Sequence, residues 1–141
     1  MDVDAMDVTA LDPDDPRVRS FKVVGPAALL VAKLHKLGER INAPQRLNDK
    51  DAHDAYRNLR TTQTAELGMA FARLLEDPLS ASATREALRY AEELFAAGPE
   101  AIGAMMAGRA ELGVGSPEEV SVATAILASD LVVSLRRDGL Y

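Results

Sequence analysis

The fold turns on one stretch, Pro26-Ala27-Ala28-Leu29-Leu30-Val31-Ala32-Lys33-Leu34-His35-Lys36-Leu37-Gly38-Glu39-Arg40-Ile41. Proline suits the first position of a helix, where its missing N–H is an orphan anyway. The pattern runs to about Ile41 and stops before Asn42-Ala43-Pro44. Placed at about 100° per residue, Ala27, Leu30, Leu34, Leu37 and Ile41 form one apolar arc. Lys33, Lys36 and Arg40 gather on a second arc at the edge of that face.

Further along, Asn48 is placed to cap a second helix, with Asp49 and Asp51 in a first turn that favours acids. Its Ala52, Ala55, Tyr56 and Leu59 point inward, and Lys50, Asp51, Asp54 and Arg57 point the other way. Four more Ala/Leu-rich segments read as helices, at roughly 63–76, 82–97, 100–111 and 117–137. Asp77-Pro78, Gly98-Pro99 and Gly113-Val114-Gly115-Ser116-Pro117 separate them. Ser116 with Glu119 has the form of a capping box.

Upstream of Pro26 the pattern changes. Asp2 to Val8 and Ser20 to Val24 alternate loosely, and Leu11-Asp12-Pro13-Asp14-Asp15-Pro16 between them is turn chemistry. Two short strands joined by a loop are expected there. The expected architecture is mainly α: about six helices in residues 26–141, preceded by a short β element in residues 1–25. Strands this short need helices or further strands to lean on.

The 141 residues suit one domain, and 48% hydrophobic content excludes global disorder. No apolar run reaches the roughly 18 residues that span a bilayer, so no membrane partner is expected, and a cytoplasmic address is simply the default. Without cysteine there is no disulfide and no thiolate metal site. The net charge of −6 is uneven. Residues 17–60 carry ten bases against four acids, and residues 61–141 carry six bases against twelve acids. A cationic middle in an acidic chain suits phosphates or other anionic partners; it is also what two amphipathic helices with solvated faces look like.

The chemistry-bearing residues lie in that middle. Lys33 and Arg40 are two helical turns apart, so their cationic ends point the same way. Lys50-Asp51-Ala52-His53-Asp54 places two carboxylates near the start of the next helix. A hairpin of the two helices sets a carboxylate beside the lysine. Cations can then hold a polyphosphate while a carboxylate takes a proton from an attacking hydroxyl. The bland alternative is an i,i+4 pair between Lys50 and Asp54, with Asp51 as an ordinary first-turn acid. His35 and His53 have no partner histidine at ligand spacing. No nucleophile elbow and no Gly-Lys-Ser/Thr loop occurs. Met105-Met106 and the nearby alanines read as core or helix contact, not as a cofactor box.

The run Val24-Gly25-Pro26-Ala27 through Lys33-Leu34-His35-Lys36-Leu37, then Glu39-Arg40, Arg46-Leu47 and Lys50-Asp51-Ala52-His53-Asp54, resembles nucleotidyltransferase-like proteins of the abortive-infection toxin type (AbiEii-like). The resemblance covers residues 20–60 closely and the helical remainder in general character. It implies a partial nucleotidyltransferase-like α+β fold of which this chain is chiefly the C-terminal helical half. It implies Lys33 on the triphosphate, Asp51 as base or orienter, and Lys36, Arg40 and Asp54 as supporting groups on the substrate. A complete enzyme would use Mg2+ and a nucleoside triphosphate, would modify a hydroxyl of RNA or protein, and would belong to a toxin–antitoxin pair. Its metal motif, a Gly-Ser turn followed by D-x-D, is missing; the one Gly-Ser pair is Gly115-Ser116, far downstream. Asp2-Val3-Asp4, followed by Asp7, is formally a D-x-D and would be its relic, but the favoured reading of these residues is an ordinary acidic terminus. The expectation is therefore a truncated or shortened chain, inactive by itself. The alternative is a non-catalytic helical module that docks on an antitoxin-like partner or forms a homodimer.

Overall fold

The computed structural model describes residues 3–9 and 18–141, with the backbone alone for 3–9 and 18–23. The backbone of β1 (Val3–Thr9) runs antiparallel to β2 (Val18–Val24), with Val3 opposite Val24 and Thr9 opposite Val18. The Pro/Asp loop and Asp2 lie outside the described residues, as do the side chains of Asp4 and Asp7.

The remainder is helical. Six α-helices follow: α1 (Pro26–Arg40), α2 (Asp49–Thr61), α3 (Thr64–Glu76), α4 (Ala81–Ala91), α5 (Ile102–Arg109) and α6 (Pro117–Arg137). Pro26 occupies the first turn of α1. The Asn48 side chain accepts from the Lys50 N–H at 3.0 Å, and the Ser116 hydroxyl accepts from the Glu119 N–H at 3.4 Å, so both expected caps form. A single 3-10 turn at Pro44–Arg46 joins α1 to α2.

The segment expected as one helix over 82–97 differs. α4 ends at Ala91 and passes into a π turn at Glu92–Ala96, closed by Gly98 at φ 143°. A π turn adds a residue per turn without breaking the apolar pattern, so periodicity does not reveal it. It brings the Leu94 carbonyl and the Phe95 ring against Gly103, where a Cβ would collide with both. The helix expected over 100–111 is correspondingly shorter, starting at Ile102.

The core is a continuous cluster drawn from all six helices, with Phe71, Phe95, Leu30, Leu34, Leu67, Leu88, Met106, Leu131 and Leu135 fully enclosed. Burying each such leucine contributes about 1.5–3 kcal/mol. α1 presents the expected arc, Ala27, Leu30, Leu34 and Leu37, all buried, with Ile41 half-buried. α1 packs against α4 at Gly38, where any Cβ would strike the Tyr90 ring. Met105 is 45% exposed, and only Met106 of the pair reaches the core. No helix among the described residues is long and apolar enough to cross a membrane.

Candidate functional site

α1 and α2 pack side by side, joined by one direct fastening, while two more tie α2 to the end of α5. The Asn58 amide Nδ2 donates to the Pro26 carbonyl at 2.9 Å, tying the last turns of α2 to the first turn of α1. At the other end of α2, Arg109 grips Asp49 through two hydrogen bonds, 2.8 and 3.1 Å. His53 Nε2 lies 2.5 Å from Glu111 Oε1. The start of α2 is thus clamped to the end of α5, and Asp51 and Asp54 are held against α1.

The lysines of α1 meet those carboxylates. Lys33 Nζ donates to Asp54 Oδ2 at 2.8 Å and to Asp51 Oδ1 at 3.2 Å. Lys36 Nζ donates to the same Asp51 Oδ1 at 2.8 Å. Asp51 does not point away from the core as its helical phase suggested; it is only 5% exposed. The neighbouring helix roofs it with two lysine stems, something periodicity on one helix cannot show. The i,i+4 alternative is not realised, because Asp54 is drawn to Lys33 rather than to Lys50. Arg40 stands apart, with its Nη1 donating to the Arg46 carbonyl at 3.4 Å in the connecting loop.

This geometry fixes protonation. The hydrogen bond to Asp54 raises the Lys33 ammonium above its ordinary range; partial burial works the other way, and the Asp51 bond adds to the rise. Burial pushes the Asp51 carboxyl up, but the Lys36 and Lys33 hydrogen bonds and charges together outweigh it, and the net shift is downward. Lys33 is therefore a cation at neutral pH, unsuited to act as nucleophile or base. Asp51 is an anion at neutral pH, and the downward shift makes it a weaker proton acceptor than an ordinary carboxylate.

Beside this cluster lies an open groove of about 600 Å3 between α1 and α2. One wall is apolar: Val24, Pro26 and Leu29. The other is polar: Lys33, Asp54, Arg57, Asn58, Thr61 and Thr62. Asp51 does not line it. Asp54, with a side chain 31% exposed, is the carboxylate that a bound molecule reaches. The Asn58 Oδ1 is buried with no hydrogen-bond partner.

Arg57, Asn58 and the threonines were not singled out from sequence, although Asp54, Arg57, Asn58 and Thr61 fall on one face at i, i+3, i+4 and i+7. Any solvated helix face carries such a stripe, so the signal alone had no specificity. Among the described residues, no three His, Asp or Glu side chains converge as a metal site requires. Asp51 and Asp54 each already hold a lysine ammonium, and the pair does not fit a divalent cation.

No family model, no curated protein and no solved structure matches the chain.

Proposed function

We propose that this chain is the helical half of a nucleotidyltransferase-like protein and that the α1–α2 groove holds the phosphates of a nucleoside triphosphate. One observation carries the reading: Lys33, a fixed cation, is positioned by Asp51 and Asp54 at the edge of a groove large enough for a small ligand. In this account Lys33 contacts the phosphates. Asp51, buried and held ionised, orients Lys33 and Lys36. Asp54, facing the groove, is the better placed of the two to accept a proton from an acceptor hydroxyl. Lys36 and Arg40 supply longer-range positive potential.

The parent reaction moves a nucleotidyl group onto a hydroxyl of RNA or protein, in the cytoplasm, within a toxin–antitoxin pair. Magnesium, where the complete enzyme uses it, belongs to a sheet-borne carboxylate set, with the short β element of residues 1–25 as that sheet's remnant. The chain by itself is expected to be inactive. A separate reading, a helical assembly module, is favoured by a different observation, the apolar stripe on the outer face of α6.

Calorimetric titration with ATP and with inorganic triphosphate tests the groove. Wild type should bind weakly, and more weakly as salt rises. Lys33→Ala should cost about 1.5–3 kcal/mol of binding for a well-seated phosphate. Lys36→Ala should cost less, and Asp51→Asn should leave binding unchanged or slightly tighter. Equal or undetectable binding in all four proteins at millimolar ligand sinks the proposal.

A further inference from the structure

The buried side of α6 is supplied by Val120, Thr124, Ala125, Ala128, Leu131, Val132 and Leu135. Its outer side carries a second pattern that the fold does not use. Glu119, Val122, Ile126, Ser129, Val133 and Arg136 follow one another at spacings of 3, 4, 3, 4 and 3 residues. That alternation is the seam of a two-helix coiled coil, and here it faces water. Val122 is 40%, Ile126 55% and Val133 57% exposed.

The seam is also self-complementary when reversed. Laid antiparallel on itself, it sets Val122 against Val133, Ile126 against Ser129, Glu119 against Arg136 and Glu118 against Arg137 of the second copy. Acids at the start and bases at the end of a helix suit its own dipole. A lone helix, however, has no use for valine and isoleucine at coiled-coil spacing on its wet face. Shallow hollows of about 310 and 210 Å3 flank Ser129 on either side. Beside Ser129 the π turn and its exit contribute mostly small residues, Ala96, Ala97 and Gly98, with Glu92 and Pro99 at the outer ends of the two hollows. In the antiparallel register, Ile126 of the second copy falls on this small-residue position. A bulky side chain meeting a small one over a hollow is the knob-and-hole relation that fixes such pairs. Glu118 and Glu119 have no side-chain partner among the described residues. Arg136, paired in-chain with Glu92, keeps a side chain 54% exposed and has donors to share.

We propose that two copies of this chain associate through the outer faces of their α6 helices, antiparallel about a two-fold axis between Leu127 and Ala128. The same patch meets itself, as an isologous dimer requires. The proposal is independent of the groove between α1 and α2, which lies on other helices.

Sedimentation equilibrium and cysteine pairing test it. Wild type should populate a dimer in the micromolar range, and Ile126→Asp should weaken it at least tenfold while leaving the circular dichroism spectrum unchanged. Because the chain has no cysteine, single variants report the register directly. Under mild oxidation a mixture of Val122→Cys and Val133→Cys should form a mixed disulfide dimer, while neither variant alone does. Cross-linking of Val122→Cys with itself would indicate a parallel pair and overturn the proposal. A wild type that stays monomeric at hundreds of micromolar would overturn it too, as would a dimer untouched by Ile126→Asp.

Discussion

Replacing Asp51 by alanine removes the one buried carboxylate of the site and with it the acceptor shared by Lys33 and Lys36. Lys33 keeps its bond to Asp54, and Lys36, with a side chain 41% exposed, returns to water. Breaking a fully buried pair costs about 3–5 kcal/mol, but both lysines are partly solvated, so the expected loss is about 1–3 kcal/mol. For a domain of this size that lowers the midpoint of thermal unfolding by roughly 3–12 °C. The pH dependence follows from the downward shift of the Asp51 carboxyl. A depressed carboxyl stabilises fully above its unfolded pKa, about 3.9, and loses that contribution as pH falls through the folded value. Urea unfolding followed by circular dichroism should show the wild-type advantage constant from about pH 5 to 8 and shrinking below about pH 4. A difference under about 0.3 kcal/mol at pH 7, or one as large at pH 3 as at pH 7, would refute the account of Asp51 as the ionised anchor of both lysines.

The same structure makes three further claims. Gly103→Ala drives a Cβ into the Leu94 carbonyl and the Phe95 ring and should destabilise the chain by about 1–3 kcal/mol in denaturant unfolding. Asn48→Ala removes the cap of α2 and should cost about 0.5–2 kcal/mol in the same assay. Burial and the hydrogen bond to Glu92 push the Tyr141 hydroxyl up to about 12. Ultraviolet titration should therefore show a tyrosine ionising only near that pH, and Tyr141→Phe should abolish that step.

The helices were legible where local chemistry announces them, with Pro26, Asn48 and Ser116 at starts, Gly98 and Gly113 at breaks, and leucines and alanines at helical spacing between them. The arc from Ala27 to Leu37 needed no partner to be read, since any core would bury it. The site was legible in part. Lys33, Lys36, Asp51 and Asp54 converge as their spacing on a hairpin implied. Arg40 is held by the connecting loop, and Arg57, read as merely outward, lines the groove. What sequence could not provide was inter-helical. The burial of Asp51 comes from lysine stems on α1, and the groove is lined jointly by the start of α1 and the end of α2. The π turn hid because Leu88, Ala91, Leu94 and Phe95 keep an apolar pattern through it.

In the proposed function, Lys33, held by Asp51 and Asp54, meets phosphate in the α1–α2 groove. The chain has only four lysines, Lys22, Lys33, Lys36 and Lys50, so their ammonium nitrogens can be followed individually by NMR after 15N-lysine labelling. Adding ATP should move the Lys33 Nζ resonance along a saturating curve, with smaller changes at Lys36 and none specific to Lys50. A Lys33 signal that stays fixed at millimolar ATP, or four signals that drift together with ionic strength, would contradict it.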